Sequence, residues 1–432
     1  MKRVTSVLIC LLLAGAALGQ TWQNGPVSGF RYTRFDGEYF PGTGKVYFLG
    51  GRLSAGTTDG SVWSYDPLTQ AYADAGVDMR LPISNYDICL LRDDYNLPAG
   101  DTWGLYIFGG RLSSGSNTDS VQIYYPVSNT ARVLPSDPFP GRLGGIPPAA
   151  LAAVPFRNKV YVFGGLNATA FTVTADAWLF DPLAAPGSKW AQLRSMTRAR
   201  AYRAPVIIDS TLYAFGGDTA YSSNLYAKAE CEKFSPLDTT AGWTAVANMP
   251  MVCGETRVFG FDSDEYYEFA GQAIIAGQGN WPAESSNCFI YTAATNAWAT
   301  FPDLLAARRN HAGCLIPGTR GSNGIPGIWV WGGRYSTDTL VLTSSEYYQL
   351  QLTGVAEPGR RIPKGAAGAT LVRGVLNLPA SFERGELLDL SGTKVLELSP
   401  GANDVSRIAT GVYLARYERG NAIEEQRLVL LH

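Results

Sequence analysis

Histidine is almost absent from this chain of 432 residues, which contains only His311 and His432. Most zinc and copper enzymes hold their metal with several histidines, so this count argues against those classes of site. A Ser-His-Asp hydrolase would depend on His311, and no Gly-x-Ser-x-Gly motif accompanies it. Phosphate-binding loops and dinucleotide fingerprints are also missing. We therefore expect no metal and no cofactor, and we interpret His311 as a packed strand residue.

Charged residues are scarce too, at 17% of the chain, and the formal net charge is −2. Such a balance gives no strong attraction to nucleic acid or to anionic membranes. Beyond the first residues, no apolar run is long enough to predict a transmembrane helix. We expect a monomer without a nucleic-acid partner.

The N-terminus has the three parts of a signal peptide. Lys2 and Arg3 supply the charge, Val7 to Leu13 form a short apolar stretch, and Ala17-Leu18-Gly19 offers small residues for cleavage. We predict that residues 1–19 are removed before Gln20 and that the protein is secreted or displayed on the outer cell surface.

Cysteine usage leaves two alternatives open. Five of the six cysteines follow Gln20, and an odd number cannot pair completely. Cys89 and Cys314 lie in apolar patterns that are typical of buried free thiols. Cys231 and Cys253 lie near two adjacent predicted strands, so a disulfide between them is the alternative to free thiols there.

The main feature that is present is a repeated strand ending in paired glycines. It recurs six times, about 50 to 60 residues apart. The copies are VYFLGG, LYIFGG, VYVFGG, LYAFGG, AIIAGQ and IWVWGG. A second strand with an aromatic residue, often followed by proline, comes after each copy, as in VWSYDP and AWLFDP. This period, with several short strands per unit, predicts a β-propeller.

The paired glycines, the aromatic-Asp-Pro strand and a trailing tryptophan (Trp190, Trp243 and Trp298) resemble Kelch repeats. The fifth unit departs from the pattern at Gly277-Gln278, and the second lacks the tryptophan. The resemblance implies an all-β, six-bladed propeller of four-stranded blades over residues 20–353. Because the sixth unit lacks a fourth strand, we predict that Thr21-Trp22-Gln23 supplies it and closes the ring.

A linker rich in glycine, proline and alanine spans residues 354–368, and a small β-sandwich-like domain is predicted at 369–432. Its pieces LLDLSGTKVLEL, NDVSRIATGVYLARY and RLVLL resemble the C-terminal sorting domains of type IX secretion substrates. That resemblance implies a Gram-negative source and contact with type IX-like secretion machinery. An immunoglobulin-like accessory module without a sorting role is the alternative.

In Kelch proteins the loops after the paired glycines, and those before the first strand of each blade, often contact ligands. The resemblance places Arg52, Arg111, Asp218 and Arg334 among the first group of positions. It places Asn85, Arg142, Arg200, Glu255 and Arg309 in the second group. Arg334, Arg52 and Arg111 belong to three contiguous blades, and arginine suits carboxylates because its two N–H donors match two oxygens. Loop-holding ion pairs are the alternative role for these arginines.

Two functions remain open at this point. The first is a secreted or surface-displayed module that binds a protein or an acidic glycan. The second is a carbohydrate enzyme similar to the Kelch-fold N-acetylneuraminate epimerases, which act on an acidic sugar. The scarcity of histidine and the absence of an identifiable acid–base pair favour binding.

Overall fold

The structure is a computed structural model, and it describes eleven stretches of the chain. They are residues 20–93, 102–263, 268–280, 283–317, 327–335, 340–350, 370–378, 384–389, 393–409, 411–419 and 422–431. All regular structure in these stretches is β-strand, as predicted. The proposed signal peptide and the predicted linker lie outside the described residues. No helix in the described part of the chain is long and apolar enough to cross a membrane.

Six four-stranded antiparallel sheets occur in the described repeat region, and we call each sheet a blade. Strands a to d follow the hydrogen-bonded order. Blade 1 contains Gly37–Phe40, Lys45–Arg52, Thr58–Asp66 and Ala71–Asp78, and blade 2 contains Ile88–Arg92, Trp103–Phe108, Val121–Tyr125 and Thr130–Val133. Blade 3 contains Ala152–Phe156, Lys159–Phe163, Ala177–Phe180 and Trp190–Leu193, and blade 4 contains Ala204–Ile208, Thr211–Phe215, Cys231–Phe234 and Thr244–Val246. Blade 5 contains Arg257–Phe261, Gln272–Asn280, Ala283–Thr292 and Ala297–Phe301, and blade 6 contains Ala312–Ile316, Gly327–Trp331, Ser345–Gln349 and Gln23–Asn24.

The a strands contact one another in a closed cycle, from blade 1 through blade 6 and back to blade 1. The predicted closure is confirmed, because Gln23–Asn24 pairs antiparallel with the c strand of blade 6, with Gln23 opposite Tyr347. The N-terminal strand therefore covers an edge that would otherwise be open.

The paired glycines end strand b where the backbone must turn away from the blade. At Gly217 φ is +92°, and a Cβ atom there would lie 2.7 Å from the carbonyl oxygen of Ala201. Only glycine fits this close approach without strain. After the glycines, short two-stranded hairpins follow in blades 3, 4 and 6. They are Leu166–Asn167 with Thr172–Val173, Asp218–Tyr221 with Asn224–Ala227, and Arg334–Tyr335 with Leu340–Val341.

Neighbouring blades are joined at their outer edges by a repeated tryptophan contact. The indole N–H of each tryptophan donates to a backbone carbonyl just beyond strand d of the preceding blade. The pairs are Trp190 with Asp137 (3.0 Å), Trp243 with Arg194 (3.0 Å), Trp298 with Ala247 (2.9 Å) and Trp22 with Pro302 (2.8 Å). Trp22 is thus the tryptophan of blade 6, and in blade 1 the hydroxyl of Tyr72 donates to Pro26 in the same way, at 3.1 Å.

The predicted Cys231–Cys253 disulfide is not formed, since both residues are free and buried. The Cys231 thiol donates to the carbonyl of Ala229 at 3.2 Å. Both side chains belong to the apolar core between blades 4 and 5, where they pack as small hydrophobic groups.

The described residues between 370 and 431 belong to a second compact unit. A five-stranded sheet there has the order Thr370–Arg373, Ala422–Leu431, Gly411–Arg419, Arg384–Asp389 and Lys394–Leu398. The first two of these strands are parallel, and the other neighbours are antiparallel. Val375–Leu378 pairs with Gly401–Asp404 in a separate two-stranded sheet. Leu387, Tyr413 and Leu428 are buried together in the core of this unit.

Candidate functional site

A ring of six residues surrounds the centre of the propeller, one just before strand a of each blade. All six are non-glycine residues with φ between +52° and +65°, namely Arg34, Asn85, Ala150, Tyr202, Glu255 and Asn310. We call them the central ring. A left-handed backbone costs each such residue about 1 kcal/mol or more, and this kind of strain is concentrated at functional sites.

Backbone hydrogen bonds connect the ring residues from blade to blade. Five of them run between the amide of one ring residue and the carbonyl of the preceding one. They are Arg34 to Asn310 (2.7 Å), Asn85 to Arg34 (2.7 Å), Ala150 to Asn85 (3.2 Å), Tyr202 to Ala150 (3.1 Å) and Asn310 to Glu255 (2.8 Å). The backbone is therefore fixed, and the side chains decide what the ring can bind.

The residue before each ring position forms a β-bridge to the position after the paired glycines. The bridges are Thr33–Arg52, Ser84–Arg111, Ala149–Leu166, Ala201–Asp218, Gly254–Gly279 and Arg309–Arg334. The post-glycine residues singled out in the sequence are thereby brought beside the central ring.

Blades 6, 1 and 2 make one side of the ring basic. This basic half consists of the ring residue Arg34 and the adjoining post-glycine residues Arg52, Arg111 and Arg334. Burial, together with the positive charges of Arg34, Arg334 and Arg111, lowers the pKa of Arg52 to about 10. The buried Nε atoms of Arg34 and Arg52 have no hydrogen-bond partner in the described part of the chain. Arg111 donates from Nε to the Gly115 carbonyl at 3.1 Å. Among the described residues, Arg34, Arg52 and Arg111 form no ion pair with a carboxylate.

Blades 4 and 5 give the ring an acidic half, which consists of Asp218 and Glu255. Glu255 Oε2 pairs with Arg309 Nη1 at 2.6 Å. Asp218 is 1% exposed, and neither of its carboxylate oxygens has a hydrogen-bond donor among the described residues. Burial and then the charge of Glu255 raise the pKa of Asp218 well above its usual range, against the opposing effect of Arg309 and Arg200.

Tyr202 lies between the two halves. Asn85 Nδ2 in blade 2 donates to the Tyr202 hydroxyl in blade 4 at 2.6 Å, so the phenol reaches across the ring. Burial raises the pKa of Tyr202, and the charges of Arg34 and Arg111 on one side and of Glu255 and Asp218 on the other also act on it. The phenol is therefore within electrostatic range of both halves.

Arg257, Asp36 and Asp87 form a buried ion cluster next to the ring. Each of them lies two residues after a ring residue, at the start of an a strand. Arg257 Nε lies 3.1 Å from Asp36 Oδ1, and Arg257 Nη1 lies 2.8 Å from Asp87 Oδ1. Burial raises the pKa of Asp36 to about 6 even though Arg257 opposes the shift. The six ring residues, together with Asp87 and Arg257, line a cavity of about 30 Å³. Such a volume holds about two water molecules.

The predicted second group of positions is only partly in the ring. Asn85 and Glu255 are ring residues, but Arg200 and Arg309 lie two residues and one residue before the ring positions Tyr202 and Asn310. Arg200 pairs with Glu230 at 3.2 Å. Arg142 is not brought to the ring: it is exposed, and its Nη2 pairs with Asp119 at 2.6 Å. A turn in which Leu143 bridges Ile146 separates Arg142 from the start of blade 3.

The sequence reasoning missed Arg34 and Tyr202, because strand a carries no motif from which its start could be counted. His311 follows the ring residue Asn310 and is buried, and burial lowers its pKa well below the usual range. It is thus a neutral core residue in the described structure, as interpreted from the sequence.

Known proteins resemble this chain over part of its length. Kelch-like protein 23 of Homo sapiens is 29% identical over 209 residues, which cover 48% of this chain and 32% of that protein. Beta-scruin of Limulus polyphemus is 26% identical over 209 residues, covering 45% of this chain and 20% of that protein. The chain therefore spans about a third or less of the length of these relatives.

The solved structure of YjhT superposes with a TM-score of 0.55 at 16% identity, covering 76% of this chain and 99% of that one. At this identity the likeness shows the fold alone. No family model matches the chain. The closed cycle of four-stranded sheets, the Kelch-containing relatives and this structural likeness together identify the repeat region as a Kelch-type β-propeller.

Proposed function

We propose that this protein is a binding module whose central ring captures a carboxylate group of a protein or glycan partner. The observation that carries the proposal is the basic half. Arg34, Arg52 and Arg111 lie in neighbouring blades within electrostatic range of one another and without a carboxylate partner in the described part of the chain. Like charges repel, so this arrangement is relieved when an anion binds among them.

The size of the central cavity supports binding of one group of a larger partner. A cavity of about 30 Å³, lined by Arg34 and the other ring residues, holds about two waters or one small polar group. Partner surface beyond the carboxylate can contact the hairpin of blade 4, where Tyr221 is 73% exposed and Tyr226 is 42% exposed. Exposed tyrosines of this kind suit both protein side chains and sugar faces.

We further propose that the module works outside the cell. The signal-peptide pattern of residues 1–19 and the similarity of residues 369–432 to type IX sorting domains support export. Fusion of residues 369–432 to a secreted reporter in a type IX host tests the second part. We expect the reporter at the cell surface, and a reporter that stays in the periplasm would favour an accessory module.

The acidic half supports a second candidate function, which is an enzyme acting on an acidic sugar. Asp218 and Glu255 are carboxyl groups of the same site. Burial raises the pKa of Asp218, as is typical of a general acid. Incubation with N-acetylneuraminate, followed by NMR of its anomeric signals, tests this candidate directly, and accelerated anomer exchange would favour the enzyme.

The binding proposal is tested with two labelled probes, a hexaglutamate peptide and a sialylated oligosaccharide. Hydrogen bonds to charged groups contribute about 1.5–3 kcal/mol, so Arg52→Ala should weaken binding of the preferred probe by roughly 10- to 100-fold. Arg142→Ala is the matched control, because it removes an arginine that lies away from the ring. Equal losses in both variants would mean that general surface charge, and not the ring, binds the probe.

A further inference from the structure

The acidic half contains a carboxylate that the protein itself leaves without a partner. Arg309 is committed to Glu255 at 2.6 Å, and Arg200 to Glu230 at 3.2 Å. Asp218 is left without an ion pair among the described residues. Its charge is influenced by both guanidinium groups without being bonded to either.

Three carboxylate oxygens in this half have no donor in the described part of the chain. They are both oxygens of Asp218 and Oε1 of Glu255, and the two residues are only 1% and 4% exposed. A buried acceptor without a donor destabilises the folded protein, and it does so more strongly when it is charged. Each such group in a folded protein calls for an explanation, and a ligand that donates hydrogen bonds is one.

The basic and acidic halves lie on opposite sides of the same ring. Arg34 and Arg52 belong to blade 1, whereas Asp218 belongs to blade 4 and Glu255 to blade 5. In a cycle of six blades, blades 1 and 4 face each other across the centre. Tyr202 spans the space between them through its bond to Asn85.

Three carboxylate oxygens without a donor thus lie opposite three arginines without a carboxylate partner in the described part of the chain. From this arrangement we infer that the ring recognises a ligand bearing both a carboxylate and an ammonium group. This inference rests on the proposed function for the carboxylate and adds the cationic group. The carboxylate binds among Arg34, Arg52 and Arg111. The ammonium group donates hydrogen bonds to Asp218 and Glu255, and it supplies the positive charge that Asp218 lacks.

The chemistry also predicts that binding releases a proton. Burial beside Glu255 raises the pKa of Asp218, so in the empty site this carboxylate takes up a proton more readily than an exposed aspartate does. An ammonium group in contact with Asp218 favours the ionised form instead, and the proton leaves to the buffer. Calorimetry in two buffers with different ionisation enthalpies measures this proton.

The decisive experiment compares two probes that differ only in the amino group, hexanoate and 6-aminohexanoate. Affinities are measured by calorimetric titration of the full chain at pH 7. We expect the amino compound to bind about tenfold more tightly, because it adds at least one charge-assisted hydrogen bond. In Asp218→Asn this advantage of the amino compound over hexanoate should disappear.

Asp119→Asn serves as the control, because Asp119 pairs with Arg142 away from the ring, and it should leave the advantage of the amino compound intact. A thermal melt of each variant verifies that it is folded. Equal binding of the two probes to the unmodified protein would overturn this inference and leave the proposed carboxylate site standing. If neither probe binds, the proposed function fails, and this inference fails with it.

Discussion

The outer edges of the blades and the central ring are both built from positions that repeat from blade to blade. At the edges the same side chain recurs in most blades, whereas at the ring the side chain changes from blade to blade. At the edges, four tryptophans donate the same hydrogen bond to the preceding blade. At the ring, six residues share one backbone conformation, yet only asparagine occurs twice among them. Repetition at the edges stabilises four of the blade interfaces in the same way. Variation at the ring divides its charge into a basic and an acidic half, and such asymmetry is what a ligand can recognise.

The two regions should also differ in the sign of their contribution to stability. Burial of an aromatic side chain at an edge stabilises the fold. Left-handed residues and neighbouring arginines at the ring cost free energy in the absence of a ligand. Substitutions at the edges should therefore reduce stability, whereas substitutions in the basic half should leave it nearly unchanged.

The largest effect is expected when strand d of blade 6 is deleted. Removal of residues 20–29 uncovers the strand edge at Tyr347. It also removes Trp22, whose indole contacts the aromatic side chain of Tyr348 with 5.9 Å between the centroids. We expect the free energy of unfolding to fall by several kcal/mol, as measured by urea denaturation. An unchanged midpoint would mean that this strand does not hold the cycle closed.

A single edge tryptophan should have a smaller but still large effect. Trp298→Ala removes the packing against Phe215 and Tyr291 together with the hydrogen bond to Ala247. The cost should be about 3–5 kcal/mol in urea denaturation. Trp298→Phe keeps most of the packing and loses the hydrogen bond, so a smaller loss separates the two contributions. Equal losses would assign the whole effect to the indole N–H.

A third prediction concerns Glu38 in strand a of blade 1 and the way in which it makes stability depend on pH. It is partly buried, and burial followed by the charge of Asp36 raises its pKa from 4.5 to about 8. Between those values the folded state holds a proton that the unfolded state has lost, so stability falls as the pH rises. Relative to the unmodified protein, Glu38→Gln should gain roughly 1–3 kcal/mol between pH 5 and pH 8. Denaturation curves at the two pH values measure this gain, and a constant difference would contradict the raised pKa.

The strands of each blade could be predicted from the sequence because strands b and c carry motifs. In blade 4 the sequence predicts strands at residues 202–208, 211–217, 230–235 and 242–248. The observed strands are Ala204–Ile208, Thr211–Phe215, Cys231–Phe234 and Thr244–Val246, so every end agrees to within two residues. The sequence predicts Trp22 beside the last blade, but only the structure shows that Trp22 is equivalent to the other three tryptophans. Its blade is closed by the opposite end of the repeat region.

The ring was harder to predict, for a physical reason. Its residues are selected by a backbone turn, which tolerates Arg, Asn, Ala, Tyr and Glu alike, so no residue type marks the position. Counting along the chain therefore gave Arg200 in place of Tyr202, and it gave Arg142 where a longer loop precedes blade 3. The basic residues after the paired glycines were easier to find because the glycines themselves mark the place.

The smallest expected change in stability is in the basic half, and it gives the sharpest contrast with the edges. Arg52→Ala removes a guanidinium group whose pKa is lowered to about 10 by burial and by three neighbouring arginines. Because that group has no carboxylate partner among the described residues, its removal relieves repulsion and loses little bonding. We expect the free energy of unfolding to stay within about 0.5 kcal/mol of the original value or to rise slightly, while carboxylate binding weakens as described above. Arg142→Ala should behave in the opposite way, with a loss of up to ~1 kcal/mol from its exposed ion pair with Asp119 and no loss of binding. If Arg52→Ala instead costs more than ~1 kcal/mol, Arg52 holds its loop in place, and the ligand must be sought on the exposed tyrosines of blade 4.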